Sequence, residues 1–158
     1  MGLDALVYCD CFERKLLRVP PRFEWELYVG DDGGRETRSS DPAIQNAVWA
    51  WSQDACEHDG GILVHHYLGN VARIGFLREI LGEFASRMPV ISTKVIYSGT
   101  HGGDRITLQD VDILRGEIDT LSGIHDSDTE NEQFIRRFEQ QLRDLANASA
   151  MVQKPIVF

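Results

Sequence analysis

The stretch Leu3 to Phe12 constrains this chain more than any other. Read as a strand, it sets Leu3, Ala5, Val7, Cys9 and Cys11 on one face and Leu6, Tyr8 and Phe12 on the other. A strand apolar on both faces belongs in the interior of a sheet with both sides covered. The rest of the sequence must therefore supply flanking strands and enough helices to cover them.

It does so in a mixed order. Val19-Pro20-Pro21 interrupts regular structure, Glu24 to Val29 alternates as a strand, Gly30 to Gly34 reads as a turn, and Arg35 to Arg38 returns as a short third strand. Asp41-Pro42 is a helix start, with Ile44, Ala47, Val48, Trp51 and Ala55 following at helical spacing toward Asp59-Gly60-Gly61 and with its Trp51 side on the core. Ile62 to Tyr67 reads as a strand or as a lead directly into the next helix, with Asn70 as the N-cap of a helix over 71–85. Beyond Pro89, the β-branched run Val90 to Tyr97 predicts the clearest strand of all. Thr107 and Asp110 form a capping-box variant before a helix that Gly123 ends. A last helix carries Phe134, Phe138, Leu142 and Leu145 on one face, and Lys154 to Phe158 closes as a strand. These elements predict an α+β fold: one mixed or antiparallel sheet of about four to five strands packed with about four helices. At 158 residues the chain fits a single globular domain spanning 1–158.

Charge narrows the partners. Sixteen basic residues against twenty-five acidic ones give −9, a field that repels phosphate backbones and favours encounter with a basic protein. Direct nucleic-acid binding is not expected. No apolar run approaches the ~20 residues of a membrane span and no signal peptide is evident, so the expectation is a cytoplasmic protein. Three cysteines, an odd number, agree with a reducing compartment.

Two constellations carry chemistry. The loop Ser98-Gly99-Thr100-His101-Gly102-Gly103-Asp104 has glycines that let backbone N–H groups turn inward as an anion or ligand cradle, with His101 and Asp104 as candidate catalytic residues. Asp104-Arg105 stands where a Walker phosphate loop needs Lys-Ser/Thr, and Ser98 and His101 lack a third, orienting group. The same residues also suit a tight connection. In the second constellation, Cys9, Cys11, Cys56 and His58 offer the sulfur and imidazole ligands that zinc prefers. A Cys-x-Cys pair on a strand leaves little room to wrap a metal, so the alternative is that the cysteines are small apolar core residues and that there is no cofactor. The adjacent His65 and His66 point apart in either a strand or a helix, and His125 reads as a local cap. Of Trp25, Trp49 and Trp51, at least two are expected to fill the core, and an exposed one would suit a partner interface.

The segments Met1 to Cys11, Ala55 to His58, Leu68 to Asn70, Tyr97 to Asp104 and Lys154 to Phe158 together resemble a group of uncharacterised bacterial proteins of about this length. The resemblance implies a bacterial, cytoplasmic protein and brings no activity with it. Two functional readings follow. One is a non-catalytic, acidic binding protein acting on a basic protein partner in the manner of a toxin-neutralising immunity protein. The other is a small metal-assisted hydrolase in which His101 and Asp104 work with Cys56 and His58.

Overall fold

A computed structural model describes residues 2–158 of the chain, Met1 lying outside them. Strand β1 (Gly2–Tyr8) leads to a two-stranded antiparallel ribbon of β2 (Leu27–Val29) and β3 (Arg35–Thr37), then to helix α1 (Pro42–Asp54). Strand β4 (Ile62–Asn70) runs directly into α2 (Val71–Leu81). Strand β5 (Arg105–Ile106), helices α3 (Leu108–Ser122) and α4 (Thr129–Val152), and strand β6 (Ile156–Val157) complete the chain. The main sheet is antiparallel with order β4-β1-β6-β5, so the fold is α+β as its sequence predicts.

β1 is interior, with β4 on one side from Gly2 opposite Asn70 to Tyr8 opposite Ile62, and β6 on the other through Leu6 opposite Val157. Leu3, Ala5 and Val7 are fully buried, whereas Leu6 and Tyr8 are half-buried. The strand stops at Tyr8, four residues short of the expected Phe12. Helix α4, about 36 Å long at 1.5 Å per residue, buries Ile135, Phe138, Leu142 and Leu145 in the same core as β1, α2 and α3. The expected N-caps act as such. Asp41, Asn70 and Thr107 accept hydrogen bonds from the N–H groups of Ala43, Arg73 and Asp110.

The segment after Pro89 is a correction. Val90 to Tyr97 is not a strand: the chain is helical over 89–95 and closes as a π turn, Ile91–Val95, with the Ile96 N–H donating to the Ile91 carbonyl. Its buried residues are two doublets, Val90-Ile91 and Val95-Ile96. That spacing puts them on one helical face and does not alternate as a half-buried strand would. The decisive partner is distant in sequence. Glu117 of α3, only 3% exposed, receives the N–H of Val90 on one carboxylate oxygen and that of Ile91 on the other, both at 2.8 Å. A carboxylate there satisfies two of the orphan donors at a helix start, and this outweighs β propensity.

The tryptophans are a second correction. Trp25 and Trp49 are 71% and 67% exposed. Trp51 is half-buried, its indole N–H bonded to the Val19 carbonyl at 2.9 Å. The part of the chain that holds them, residues 9–61, is poor in core. Its buried apolar side chains are Cys9, Cys11, Leu27, Val48, Ala55 and Cys56, so half of them are cysteines.

Glu117 supplies a stability test. Burial raises its carboxyl above the usual carboxylate range, against the two N–H bonds that lower it. The folded chain thus binds this proton at higher pH than the unfolded chain, and its contribution grows as pH falls toward the unfolded value and is lost as pH rises through the folded one. Glu117→Gln leaves one N–H facing an amide NH₂. Urea unfolding at pH 7 should show a loss of about 1–3 kcal/mol, and the gap from wild type should widen as pH falls toward 4.5.

Candidate metal centre

The end of β1 builds this site. Tyr8 pairs with Ile62, and the next residue, Cys9, donates its N–H to the Gly61 carbonyl at 2.8 Å. The chain then curls, with Arg14 N–H to the Asp10 carbonyl at 2.9 Å and Leu16 N–H to the Cys11 carbonyl at 2.8 Å. Cys9 and Cys11 therefore lie in a turn beyond the sheet, which removes the objection that a Cys-x-Cys pair on a strand cannot wrap an ion. Cys56 and His58 lie between α1 and β4, the segment that the β1–β4 ladder delivers to the same place.

The four ligand atoms all lie within 4.8 Å of one another. The Cys9 and Cys56 sulfurs are 3.7 Å apart, and the Cys11 sulfur is 3.4 Å from Nδ1 of His58. Around a tetrahedral zinc with Zn–S about 2.3 Å and Zn–N about 2.1 Å, those edges measure about 3.8 Å and about 3.6 Å. All three cysteines are buried and His58 is half-buried. On the far side of the imidazole, the Glu57 carboxylate lies 3.9 Å from Nε2, on the side where a metal-bound histidine turns its second nitrogen toward a carboxylate.

Electrostatics at the cluster are uneven. Burial pushes the Cys9 thiol up, and burial together with the bond to Cys9 pushes Cys11 up to about 12. Burial also opposes ionisation of Cys56, but the His58 backbone, Cys9 and the Arg35 guanidinium outweigh it and hold that thiol below its ordinary value. Arg35 Nη2 stands 3.7 Å from the Cys56 sulfur, and the guanidinium lies over the Trp51 ring. The approach requires glycine at 61: a Cβ there would fall 1.9 Å from Arg35 Nη2, and the φ of +76° is left-handed as well. From the other side, the buried ammonium of Lys154 donates to the carbonyls of Cys9 (2.6 Å) and Gly33 (2.7 Å) and pairs with Glu13 at 2.7 Å. Arg35, Glu13 and Lys154 carry no ligand pattern in the sequence, so their place here is visible only in three dimensions.

The other constellation lies elsewhere. Ser98, Gly99, Thr100, His101 and Gly102 line a cleft that also includes Asp4 at the start of β1. From Asp4 to Cys9 is five strand residues, about 17 Å at 3.3 Å each. The His101 ring stacks on Tyr97 with centroids 4.2 Å apart. Asp104 receives the Tyr97 hydroxyl, and Gly103, at φ +87°, turns the chain and bonds the Phe158 carbonyl. Asp104 and His101 share a turn through a backbone bond, and no side-chain bond joins them among the described residues. His65 bonds Asp4, His66 bonds Asp144, and His125 bonds Glu132. Compared with family models, with curated proteins and with solved structures, the chain finds no match.

Lys154 tests how the centre is held. Lys154→Met strands two buried carbonyls and leaves Glu13, itself 37% exposed, without its partner. Equilibrium unfolding should record a loss of about 2–4 kcal/mol, at or below the range for breaking a buried pair because Glu13 can rehydrate.

Proposed function

We propose that this chain is a zinc-stabilised binding domain, in which Cys9, Cys11, Cys56 and His58 hold one zinc ion in a closed tetrahedral site. The observation that carries this reading is the pair of separations, 3.7 Å sulfur to sulfur and 3.4 Å sulfur to nitrogen, which correspond to two edges of such a tetrahedron. The poor core of residues 9–61 supports it. A segment of about fifty residues without a core of its own needs a disulfide, a metal or a partner to stay ordered.

Four protein ligands leave no open position for water or substrate, so the ion acts as a staple and the reading places no catalysis at the metal. The bound ion with three thiolates carries −1, and the Arg35 guanidinium beside Cys56 compensates it. The acidic surface, at −9 overall, favours a positively charged protein as partner through diffusional steering.

Elemental analysis of protein made with zinc in the growth medium should find about one zinc per chain, falling to a small fraction in Cys56→Ser and His58→Ala. Chelation should release amide exchange across residues 10–61 while α3 and α4 keep their protection, since those helices belong to the larger core. Metal-free protein with a protected 10–61 segment would contradict the proposal.

A further inference from the structure

Between the start of β1, α2 and the loop after Tyr97, the surface opens into a cleft of about 510 Å³, the size of a small-molecule site. Leu3, Val71, Ile74 and Phe158 make its walls apolar. Val71, at the first position of α2, is 70% exposed, a large aliphatic side chain facing the cleft without cover.

Donors of hydrogen bonds gather in the same space. Arg78 lies one turn beyond Ile74 on the same face of α2, and it makes no ion pair among the described residues. The Ser98 and Thr100 residues are exposed, and the backbone N–H groups from Gly99 to Gly102 have no acceptor among the described residues. The loop is nonetheless held in place. Tyr97 folds its hydroxyl back to Asp104, and the His101 ring packs between Tyr97 and Phe158, with centroids 4.2 Å and 5.8 Å away. Nε2 of His101 is buried with no hydrogen-bond partner among the described residues, the state of a polar nitrogen that water or a bound group satisfies.

We propose that this cleft binds a small organic acid, its carboxylate held by Arg78 and the donors of the 98–102 loop, and its branched or aromatic body packed on Val71, Ile74 and Phe158. The charge count selects the class. Among the described residues Arg78 is the one Lys or Arg in the lining, and Asp4 stands on the same rim, which suits a monoanion and opposes a phosphate dianion. The apolar walls supply contact that a bare inorganic anion cannot use. The inference names a ligand for the binding-domain reading, yet does not depend on the zinc ion at the other end of β1, so metal content and ligand binding are read separately.

The test is an amide-resolved NMR titration of the full chain with 3-phenylpropionate, indole-3-acetate and 4-methylpentanoate, alongside 3-phenylpropanamide as a neutral control and inorganic phosphate. At least one acid should give saturable shifts confined to 98–102 and the first turns of α2, with Kd below about 1 mM. Arg78→Gln, an exposed change that leaves the core intact, should weaken it about tenfold or more, and the neutral amide should bind weaker by a similar factor. Three results overturn the proposal: no saturable shift from any acid up to about 10 mM, equal binding of the amide, or tighter binding of phosphate at the same residues.

Discussion

The ammonium of Lys154 ties the turn after β1 and the β2–β3 ribbon to the start of the C-terminal strand. It is buried, and its three bonds go to the Cys9 carbonyl at the end of β1, the Gly33 carbonyl in the β2–β3 turn, and the Glu13 carboxylate. A buried cation is tolerated only when each of its hydrogens has a partner, and here two partners, the Cys9 carbonyl and the Glu13 carboxylate, come from the turn after β1 and the third, the Gly33 carbonyl, from the ribbon. The small ribbon and the turn after β1 are thereby fixed to a C-terminal strand that already pairs with β1 in the sheet. The turn carrying Cys9 and Cys11 is set in position by that arrangement.

Two regions of unequal character result. The large core, from Leu3 and Ala5 through α2, α3 and α4 to Ile156, holds itself together by apolar burial. The second cluster consists of Cys9, Cys11 and Cys56 with Leu17 and Leu63 beside them. Three thiols bury far less apolar area than aliphatic or aromatic side chains, so burial alone gives this second cluster little cohesion. Coordination by the same atoms would contribute on a scale of about 10 kcal/mol or more at neutral pH, because binding energy at a site absent from the unfolded chain is folding energy. The ribbon, α1 and the exposed Trp25 and Trp49 all belong to the segment that would gain.

Much of this was legible in the residues themselves, for identifiable reasons. The central strand declared itself by its apolar faces, and the helix starts at Asp41, Asn70 and Thr107 by side chains that accept local N–H groups. Such signals are local, and local signals survive folding. Val90 to Tyr97 departs from its β propensity because the deciding contact comes from Glu117, 27 residues from Val90. The four candidate ligands were identifiable by type. Their convergence was not, because it depends on Tyr8 pairing with Ile62, and two strand patterns do not state which strands pair. Nothing in the sequence marks Lys154 beyond its place at the start of the terminal strand, and only its carbonyl partners make it structural.

The central claim is that three sulfurs and one imidazole nitrogen form a single closed coordination shell. X-ray absorption at the zinc edge on the purified protein measures that shell directly. Three sulfur neighbours at about 2.3 Å and one nitrogen at about 2.0 Å, with no bound water, are expected. A shell dominated by oxygen and nitrogen, or one holding fewer than three sulfurs, would contradict it.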